Sequence, residues 1–393
     1  MNMKVLLVNP VGEWGGAEKI FFLVSQIFQK TGFELYVLLG SRGILYEKLR
    51  NLNFNISIMN FPDLSENSIV IAGRRFQLPH HLLKNLRKIK ILSKKFWDYL
   101  RILKPDIIYL NNLRSLVLYY ETVRTYGKPC EAVVIWHEHG YQRSIIRQLI
   151  LDKIYLKFVD AVICVSKHLA NKHLKDVQQK LYVVHNGIPD ELNAIEKENV
   201  RYEYNNNKVL IIHPAFITYW KGQHLALKAV DLLVKRGVRN FEIWFFGEPR
   251  SKQDYKYFKK LKQFVRSKNL EKQVFFKGFS ANIIDEMLKA DIVISTSVED
   301  DPFPTILLEA SMIGKPVVTT DAGGSGEIVK NGETGFVVKK DKRELASALC
   351  ELIQNKELRD VFSKNARDRF LKEFSILAFE KRFLETLESI LRR

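Results

Sequence analysis

Short apolar runs alternate with helix-like stretches along most of the chain, and this alternation most restricts the fold. Examples are MKVLLVN at 3–9, DIIYLNN at 106–112 and DIVIST at 291–296. Nearly continuous apolar runs are typical of strands buried on both faces, and strands separated by helices build a parallel α/β sheet. The other predicted strands are FELYVLLG at 33–40, EAVVIWHEH at 131–139, DAVICVS at 160–166, LYVVHNG at 181–187, KVLIIHPAF at 208–216, FEIWFFGEP at 241–249 and QVFFKGFS at 273–280.

The length of the chain predicts two domains. Its 393 residues are enough for two cores of ordinary size. A polar stretch at 190–208 contains three consecutive asparagines and predicts the link between the domains. We therefore expect an α/β fold with domains at 1–187 and 188–370 and a helical segment at 371–393. NGETGFVV, near the end of the second domain, is typical of a hairpin.

The chain is basic, with a net charge of +18. Residues 1–186 hold 27 Lys and Arg against 14 Asp and Glu, whereas the remaining 207 residues hold 35 against 30. Most of the excess positive charge therefore lies in residues 1–186. Such an excess favours nucleic acid, an anionic membrane surface or phosphorylated ligands, and charge alone does not choose among them.

Cysteine usage and hydropathy indicate a cytoplasmic protein. Cys130, Cys164 and Cys350 have no paired spacing, so we expect buried free thiols in a reducing compartment. The apolar run at the start is too short for a signal peptide, and no run is long enough to span a bilayer.

The segment 74–104 has the pattern of an interfacial helix. It holds ten Lys and Arg and one acid, Asp98, with leucines and the Phe96-Trp97 pair at helical spacing. Basic residues among apolar ones favour binding to an anionic membrane. A core-packing helix with a solvated basic face is the alternative.

An acidic loop and a buried carboxylate follow the strand at 291–296. Three consecutive carboxylates end at Asp301, and the next helix, from about Thr305, carries Glu309 among apolar residues. A lone carboxylate on a buried helix is costly unless something hydrogen-bonds it. Ligands bind at this edge of open α/β sheets. On the residues alone, Glu309 is equally a partly solvated helix residue and Asp301 a capping residue.

Three more loops at strand ends carry candidate residues. Lys221 precedes Gly222 and a helix, where a cation and free N–H groups suit a diphosphate, although a loop lysine is usually only solvated. Gly15 and Gly16 precede the first helix, where they allow an anion to approach or simply form a tight turn. The strand at 131–136 delivers His137, Glu138 and His139 to the carboxyl edge of the sheet, although a histidine beside a parallel strand is often only a satisfied loop residue.

Asp301 and Glu309, separated by seven residues and followed by GKPVV, resemble the acidic-x7-Glu signature of the retaining family-4-type glycosyltransferases. Those enzymes have two Rossmann-like domains that face each other across a cleft (the GT-B fold), and their last helix crosses back to the first domain. The resemblance covers essentially the whole chain. It implies transfer of a hexose-type sugar from a nucleotide diphosphate sugar to an acceptor hydroxyl with retention, and no metal or other cofactor.

The resemblance also implies roles for single residues. Glu309 would bind the ribose hydroxyls, Asp301 would hold the transferred sugar, and Lys221 would neutralise the leaving diphosphate. His137 would lie near the sugar, with His139 as the alternative. Further donor contacts would come from Gly15, Gly16, Gly247, Gly278, Phe303 and Thr305, and His139, Tyr141 and Arg143 would face the acceptor.

Three positions depart from the family pattern. Phe216 stands where the family's Arg-x4-Lys-Gly motif has its arginine, which removes a bidentate phosphate contact. Asp301 is one methylene shorter than the usual glutamate, and Pro304 replaces a glycine and removes one N–H. These changes indicate weaker donor binding or an altered sugar pocket.

The sequence leaves open a metal site, two other functions and the class of acceptor. Glu299 and Asp301 form an acidic-x-acidic pair that is able to hold Mg²⁺ against a diphosphate. Because Phe216 replaces the arginine, the chain is alternatively a non-catalytic partner subunit of a transferase complex. A nucleic-acid-binding protein is a third alternative, but the basic run carries no known motif, so we expect no nucleic-acid partner. By resemblance, we expect a glycan or lipid-linked acceptor at the inner face of the plasma membrane, in surface polysaccharide synthesis.

Overall fold

A computed structural model describes residues 3–61, 68–71, 74–77, 79–142, 144–192 and 208–393. It divides into two compact units. The first comprises Met1–Val165, Ala170–Val184 and Phe383–Arg393, and the second comprises Ser166–Leu169 and His185–Arg382. Most of the predicted linker at 190–208 lies outside the described residues.

The first unit is built on a parallel sheet. Its strands are β1 (Lys4–Asn9), β2 (Glu34–Leu39), β3 (Asn55–Ile58), β6 (Ile107–Asn111), β7 (Val133–Glu138), β8 (Ala161–Cys164) and β9 (Leu181–Val183). Within the described residues they lie in the order β3-β2-β1-β6-β7-β8-β9, and each neighbouring pair runs parallel. Two further strands, β4 (Ser68–Ile71) and β5 (Arg74–Gln77), form an antiparallel pair that the sequence did not predict.

Helices of the first half cover this sheet because each has an apolar face. Ile20, Val24 and Phe28 on the first helix are buried at spacings of four residues, so they lie on one face. The Phe28 ring packs 5.9 Å from the ring of Tyr109 in β6. The helices are α1 (Gly16–Lys30), α2 (Ile44–Asn51), α3 (Pro79–Leu103), α4 (Asn112–Tyr126) and α5 (Ile145–Lys153), with 3-10 turns at Tyr155–Phe158 and Lys175–Lys180. The short helix α6 (Lys167–Ala170) lies mostly in the second unit.

A second parallel sheet forms the core of the other unit. Its strands are β10 (Val209–Pro214), β11 (Phe241–Phe246), β12 (Val274–Gly278), β13 (Ile292–Ser295), β14 (Val317–Thr320) and β15 (Gly335–Val338). In the described part of the chain their order is β12-β11-β10-β13-β14-β15, again parallel throughout. The central position of β10 explains why Ile211 and Ile212 are fully buried.

The helices of this unit are amphipathic or wholly buried. Leu233 and Leu349, on two different helices, share one core with Ile243 of β11. The helices are α7 (Gln223–Lys235), α8 (Lys252–Ser267), α9 (Ile283–Leu288), α10 (Thr305–Met312), α11 (Ser325–Ile328), α12 (Lys342–Gln354), α13 (Lys356–Arg369) and α14 (Ile376–Leu391), with a 3-10 turn at Tyr219–Lys221 and a π-helical turn at Phe370–Phe374.

The predicted α/β fold with two parallel sheets is confirmed, but one predicted element is wrong. The segment NGETGFVV is not a hairpin, because its residues Gly335–Val338 form the single strand β15, which pairs parallel to β14. The last helix begins at Ile376, close to the predicted start, and its residues from Phe383 onward belong to the first unit. There the Phe383 ring packs 5.5 Å from that of Phe28.

The expectation for the cysteines is correct only in part. All three are free, but Cys130 and Cys350 are half-buried and only Cys164 is buried. In the part of the chain that the structure describes, no helix has the length and apolar character needed to cross a membrane.

Candidate functional site

The carboxyl ends of β10 and β13 bring Lys221 and Asp301 together. The two strands are parallel neighbours, so the loops that follow them leave the same edge of the sheet. The backbone N–H of Val298 donates to the carbonyl oxygen of Trp220 at 2.8 Å and joins the two loops. As a result, Nζ of Lys221 lies 2.7 Å from Oδ2 of Asp301, and both side chains are largely buried, at 16% and 10% exposure.

Gly222 makes this approach possible. Its φ is +72°, and a Cβ there would lie 1.7 Å from the carbonyl oxygen of Thr296. The hydroxyl of Thr296 in turn donates to the Gly222 carbonyl at 3.0 Å. Because Gly222 directly precedes α7, Lys221 is held at the amino end of that helix, where N–H groups lack helical partners. The ring of Trp220 lies 4.1 Å from Nζ of Lys221 and also restricts it.

The backbone of Asp301 is fixed by the loop after β14. The N–H of Gly324 donates to the Asp301 carbonyl at 2.8 Å, and the N–H of Asp301 is 3.4 Å from the Ala322 carbonyl. Gly324 must be a glycine here because a Cβ would lie 2.1 Å from the carbonyl oxygen of Pro302. The acidic loop is therefore part of a hydrogen-bonded layer at the sheet edge.

Glu309 lies on α10, which is buried as predicted. Its exposure is 8%, and Leu307, Leu308 and Ala310 beside it are fully buried. The helix starts after Pro304, with Thr305 half-buried in its first turn. The preceding loop is anchored by Phe303, whose ring stacks on that of His185 at 5.1 Å.

Gly247 follows β11 and Gly278 is the last residue of β12, and both have positive φ, +115° and +78°. The N–H of Gly247 donates to the Gly278 carbonyl at 2.7 Å. A Cβ at Gly247 would lie 2.2 Å from the Ala215 carbonyl, whereas a Cβ at Gly278 would meet only the Glu248 side chain at 3.7 Å. Both glycines line a cavity of about 760 Å³.

In the first unit, polar side chains at the ends of three adjacent strands form one hydrogen-bonded chain. Nε2 of His139 donates to Oδ1 of Asn111 at 2.8 Å. Nδ2 of Asn111 donates to Oδ1 of Asn9 at 2.6 Å, and Asn9 donates to the Val11 carbonyl at 2.6 Å. This hydrogen-bonded chain spans β7, β6 and β1, and it fixes the orientation of the half-buried His139.

His137 is fully buried beside this hydrogen-bonded chain. Its Nδ1 is hydrogen-bonded to the hydroxyl of Tyr109, and among the described residues its Nε2 has no hydrogen-bond partner. Burial holds the pKa of His137 well below its usual value, and burial lowers the pKa of His139 to about 3. Both imidazoles are therefore neutral near pH 7 and are available as hydrogen-bonding groups without charge.

Glu138, between these histidines, belongs to a buried ion-pair network. The two ring nitrogens of His173 each lie 2.7 Å from a carboxylate, that of Glu138 or that of Asp152. Burial alone would lower the pKa of His173, but its hydrogen bonds to Asp152, Cys164 and Glu138 raise it to about 12. Although Cys164 lies close enough to complete a metal-ligand set, both nitrogens of His173 are already used. This cluster is therefore an imidazolium between carboxylates.

The remaining predicted residues of the first unit lie on its loops. Gly15 and Gly16 form the junction of the first loop with α1, and a Cβ on Gly15 would lie 2.7 Å from Oε2 of Glu18. Tyr141 is half-buried, with Nζ of Lys172 5.9 Å from its ring. Arg143 lies outside the described residues.

Family comparison covers both units. Residues 14–192 match the model described as Glycosyltransferase Family 4, and residues 194–369 match the model described as Glycosyl transferases group 1. The chain belongs to the group 1 glycosyltransferases. The structure of Anabaena HepE in complex with UDP and glucose has the same fold, with a TM-score of 0.77 at 22% identity, over 99% of this chain and 100% of that one.

Curated relatives of this glycosyltransferase are distant. The uncharacterized glycosyltransferase MJ1178 of Methanocaldococcus jannaschii is 26% identical over 242 residues, which are 60% of this chain and 63% of the relative. The UDP-Gal:alpha-D-GlcNAc-diphosphoundecaprenol alpha-1,3-galactosyltransferase of Escherichia coli is 22% identical over 356 residues, or 84% of this chain and 88% of the relative.

The sequence motifs predicted the charged residues of the candidate site but not the residues that hold their loops in place. Thr296 and Asn111 act through contacts between loops, and neither belongs to the motifs that revealed Lys221 and Glu309. The available signal was their position, since both stand at the carboxyl end of a predicted strand.

Proposed function

We propose that the protein is a retaining glycosyltransferase. It moves a hexose-type sugar from a nucleotide diphosphate sugar to a hydroxyl of a glycan or lipid-linked glycan. The observation that carries this proposal is the contact between Lys221 and Asp301 at the amino end of α7. A cation suited to a diphosphate and a carboxylate suited to sugar hydroxyls are thereby held side by side.

Lys221 and the first N–H groups of α7 would stabilise the leaving diphosphate. Negative charge grows on the diphosphate as the bond to the sugar breaks, and preorganised donors favour that charge most when they are fixed beforehand. The Gly222 conformation and the Trp220 contact supply such fixation. A helix amino terminus adds to the positive potential.

The two carboxylates would divide the donor between them. Asp301 and the N–H groups near Phe303 and Thr305 would orient the sugar, and Glu309 would accept hydrogen bonds from the ribose hydroxyls. On the first unit, the family resemblance assigns His137 to the sugar and the Gly15-Gly16 turn to the donor phosphate, and these assignments stay predictions. Within the described ranges of the chain, Nε2 of His137 has no hydrogen-bond partner, which supports its assignment.

Two similar proteins support a donor and an acceptor class. HepE was solved with UDP and glucose, and the Escherichia coli relative is a UDP-Gal-dependent transferase that acts on a diphosphoundecaprenol-linked sugar. We extend both features to this chain as a uridine diphosphate sugar and a lipid-linked acceptor, in surface polysaccharide synthesis.

The reaction is proposed to need no metal ion. Oδ2 of Asp301 is one of the oxygens that Mg²⁺ would use together with Glu299, and Nζ of Lys221 already lies 2.7 Å from it. A lysine in this position supplies the positive charge that a divalent ion would otherwise bring to the diphosphate. Addition of EDTA should therefore leave the activity unchanged.

The first unit is proposed to dock on the cytoplasmic face of an anionic membrane through segment 74–104. In the described part of its helix α3, Lys90 and Lys95 are exposed, and so are Ile91 and Ile102, at 62% and 85%. Exposed isoleucines among lysines fit a lipid headgroup layer. The side chains of 74–87 lie outside the described residues.

The reaction is tested by proton NMR of donor hydrolysis, in which water replaces the acceptor. Purified protein is incubated with UDP-glucose or UDP-galactose in the presence of EDTA, and the anomer released first is recorded before it mutarotates. We expect release of UDP with the α-anomer first. Release of the β-anomer first would contradict retention, and cleavage only after Mg²⁺ is added would contradict metal independence. Absence of cleavage with every nucleotide sugar tried would favour the non-catalytic partner subunit.

A further inference from the structure

The side chain of Arg250 lies over Phe216, the residue that replaces the family's arginine. Cζ of Arg250 lies 3.1 Å from the centre of the Phe216 ring. Phe216 follows β10 and stands five residues before Lys221. We propose that Arg250 supplies the second cation for the diphosphate of the nucleotide sugar, in place of an arginine at position 216. This assignment rests on the proposed function and names one more residue of the same site.

The backbone of the two loops explains why these side chains meet. The N–H of Ala215 donates to the Phe246 carbonyl at 3.1 Å, and the N–H of Ile217 donates to the Glu248 carbonyl at 3.2 Å. Parallel pairing of β10 and β11 therefore continues past the ends of both strands. Gly247 permits this close approach, because a side chain there would clash with the Ala215 carbonyl. The loop that carries Arg250 thus runs directly beside Phe216.

Phe216 is itself fixed against the first turn of α7. Nε2 of Gln223, the first residue of that helix, donates to the Phe216 carbonyl at 2.8 Å, and Gln223 is fully buried. Phe216 remains 39% exposed. A guanidinium that lies on this ring is therefore at the same helix terminus as Lys221, where the diphosphate is proposed to bind.

The position of the Arg250 guanidinium over the Phe216 ring leaves it able to bind an anion. A guanidinium that stacks on an aromatic ring uses its flat face, while its N–H groups point outward in its own plane. Among the described residues, Arg250 has no hydrogen bond or ion pair. Lys221, by contrast, is already paired with Asp301. Arg250 is thus a positioned cation without a carboxylate, and its fork geometry suits two phosphate oxygens.

The test is a calorimetric titration with UDP, GDP, ADP and uridine. It compares the natural protein, Arg250→Ala, and the double variant Phe216→Arg with Arg250→Ala. We expect Arg250→Ala to weaken binding of UDP by about 10- to 100-fold, which is the loss of a charge-assisted hydrogen bond. Binding of uridine should stay unchanged, since it has no phosphate. The double variant should regain most of the lost affinity, because it returns a guanidinium to the same place.

Arg239→Ala is the matched control. Arg239 is an exposed arginine at the amino end of β11, whereas Arg250 follows its carboxyl end, so both variants remove the same charge from the same unit. Arg239→Ala should bind UDP as the natural protein does. Far-UV circular dichroism confirms that each variant is folded.

The outcomes separate this inference from the proposed function. If Arg250→Ala binds UDP normally while Lys221→Ala does not, the role of Arg250 is overturned and the proposed function stands. Equal weakening of UDP and uridine would also overturn it, since that would indicate a packing role. A double variant that regains nothing would contradict the replacement of one arginine by the other. If the natural protein binds none of the three nucleoside diphosphates, the proposed function itself fails.

Discussion

Nζ of Lys221 lies 2.7 Å from Oδ2 of Asp301, so the residue proposed to bind the phosphates neutralises the residue proposed to hold the sugar. The two are 80 positions apart in the chain and are joined through neighbouring parallel strands. A nucleotide sugar that uses both residues must share or replace this contact. The strength of the pair therefore affects both donor affinity and turnover.

Asp301→Asn should change these two quantities in opposite directions. Removal of the carboxylate charge frees Lys221 for the diphosphate, so the affinity for UDP should rise several-fold. Transfer should slow by at least about ten-fold, because an amide holds the sugar hydroxyls less strongly than a carboxylate. Calorimetry and initial-rate assays check the two effects.

Asp300→Asn is the control for the loss of Asp301. It removes a neighbouring charge that lies near His168 and Lys340, at 3.1 and 3.2 Å, and leaves the Lys221 pair intact. It should change UDP affinity little. If both variants raise the affinity equally, a general reduction of negative charge explains the effect and the specific pair does not.

Glu309→Gln should weaken donor binding through the ribose. A charged acceptor on a buried helix contributes about 1.5 to 3 kcal/mol to a hydrogen bond, so KM for the nucleotide sugar should rise about 10- to 100-fold. Glu351→Gln, an exposed glutamate on α12, serves as the control. An unchanged KM and an unchanged affinity for the nucleoside diphosphate would remove Glu309 from the donor site.

Gly222→Ala should destabilise the second unit and abolish UDP binding. The left-handed φ costs about 1 kcal/mol for an alanine, and a Cβ 1.7 Å from the Thr296 carbonyl adds a backbone shift. Gly237→Ala is the control, because Gly237 has a similar φ of +83° but a Cβ there would meet nothing within 4 Å. Urea unfolding should therefore show a small loss at Gly237 and a clearly larger one at Gly222. Equal losses would mean that the close approach at Gly222 is not important.

Neutral histidines that are buried or half-buried make the fold sensitive to mild acid. Burial lowers the pKa of His139 to about 3 and that of His213 to about 4, whereas an unfolded imidazole titrates near 6.5. As the pH falls from 7 to 5.5, the unfolded chain binds protons that the folded chain does not. The free energy of unfolding should fall by about 1 kcal/mol for each of these histidines.

His173 behaves in the opposite way because its pKa is raised to about 12. It is protonated in the folded protein at both pH values, so acid does not remove its contribution to stability, which is lost only as the pH rises toward 12.

Urea unfolding of the natural protein and of His213→Asn at pH 7 and 5.5 checks the predicted loss of stability in acid. The pH-dependent loss should be about 1 kcal/mol smaller in the variant, and an identical loss would contradict the neutral state of His213.

Much of the fold was predictable because parallel strands leave a strong sequence pattern. Runs such as those at 106–112 and 291–296 are buried on both faces, and they alternate with longer helical stretches along the chain. NGETGFVV was misjudged because its turn residues resemble a hairpin signal, while the partner of β15 lies earlier in the chain. Pairing partners of short strands are decided by tertiary contacts.

The charged residues of the candidate site were predictable by resemblance, but their supports were not. Lys221, Asp301 and Glu309 stand in recognisable motifs. The contact of Thr296 with Gly222 and the position of the Arg250 guanidinium over the Phe216 ring join loops that are distant in sequence. Spacing along one loop says nothing about a side chain that arrives from the next one. The Phe216 departure therefore suggested a missing cation, whereas the structure places another cation on that residue.

The most direct test of the donor site is a calorimetric titration of UDP into the natural protein, Lys221→Ala and Glu309→Gln. If a nucleoside diphosphate binds at the edge formed by β10 and β13, the natural protein should bind UDP and each variant should bind it at least about ten-fold more weakly. Normal binding by both variants would contradict the proposed site.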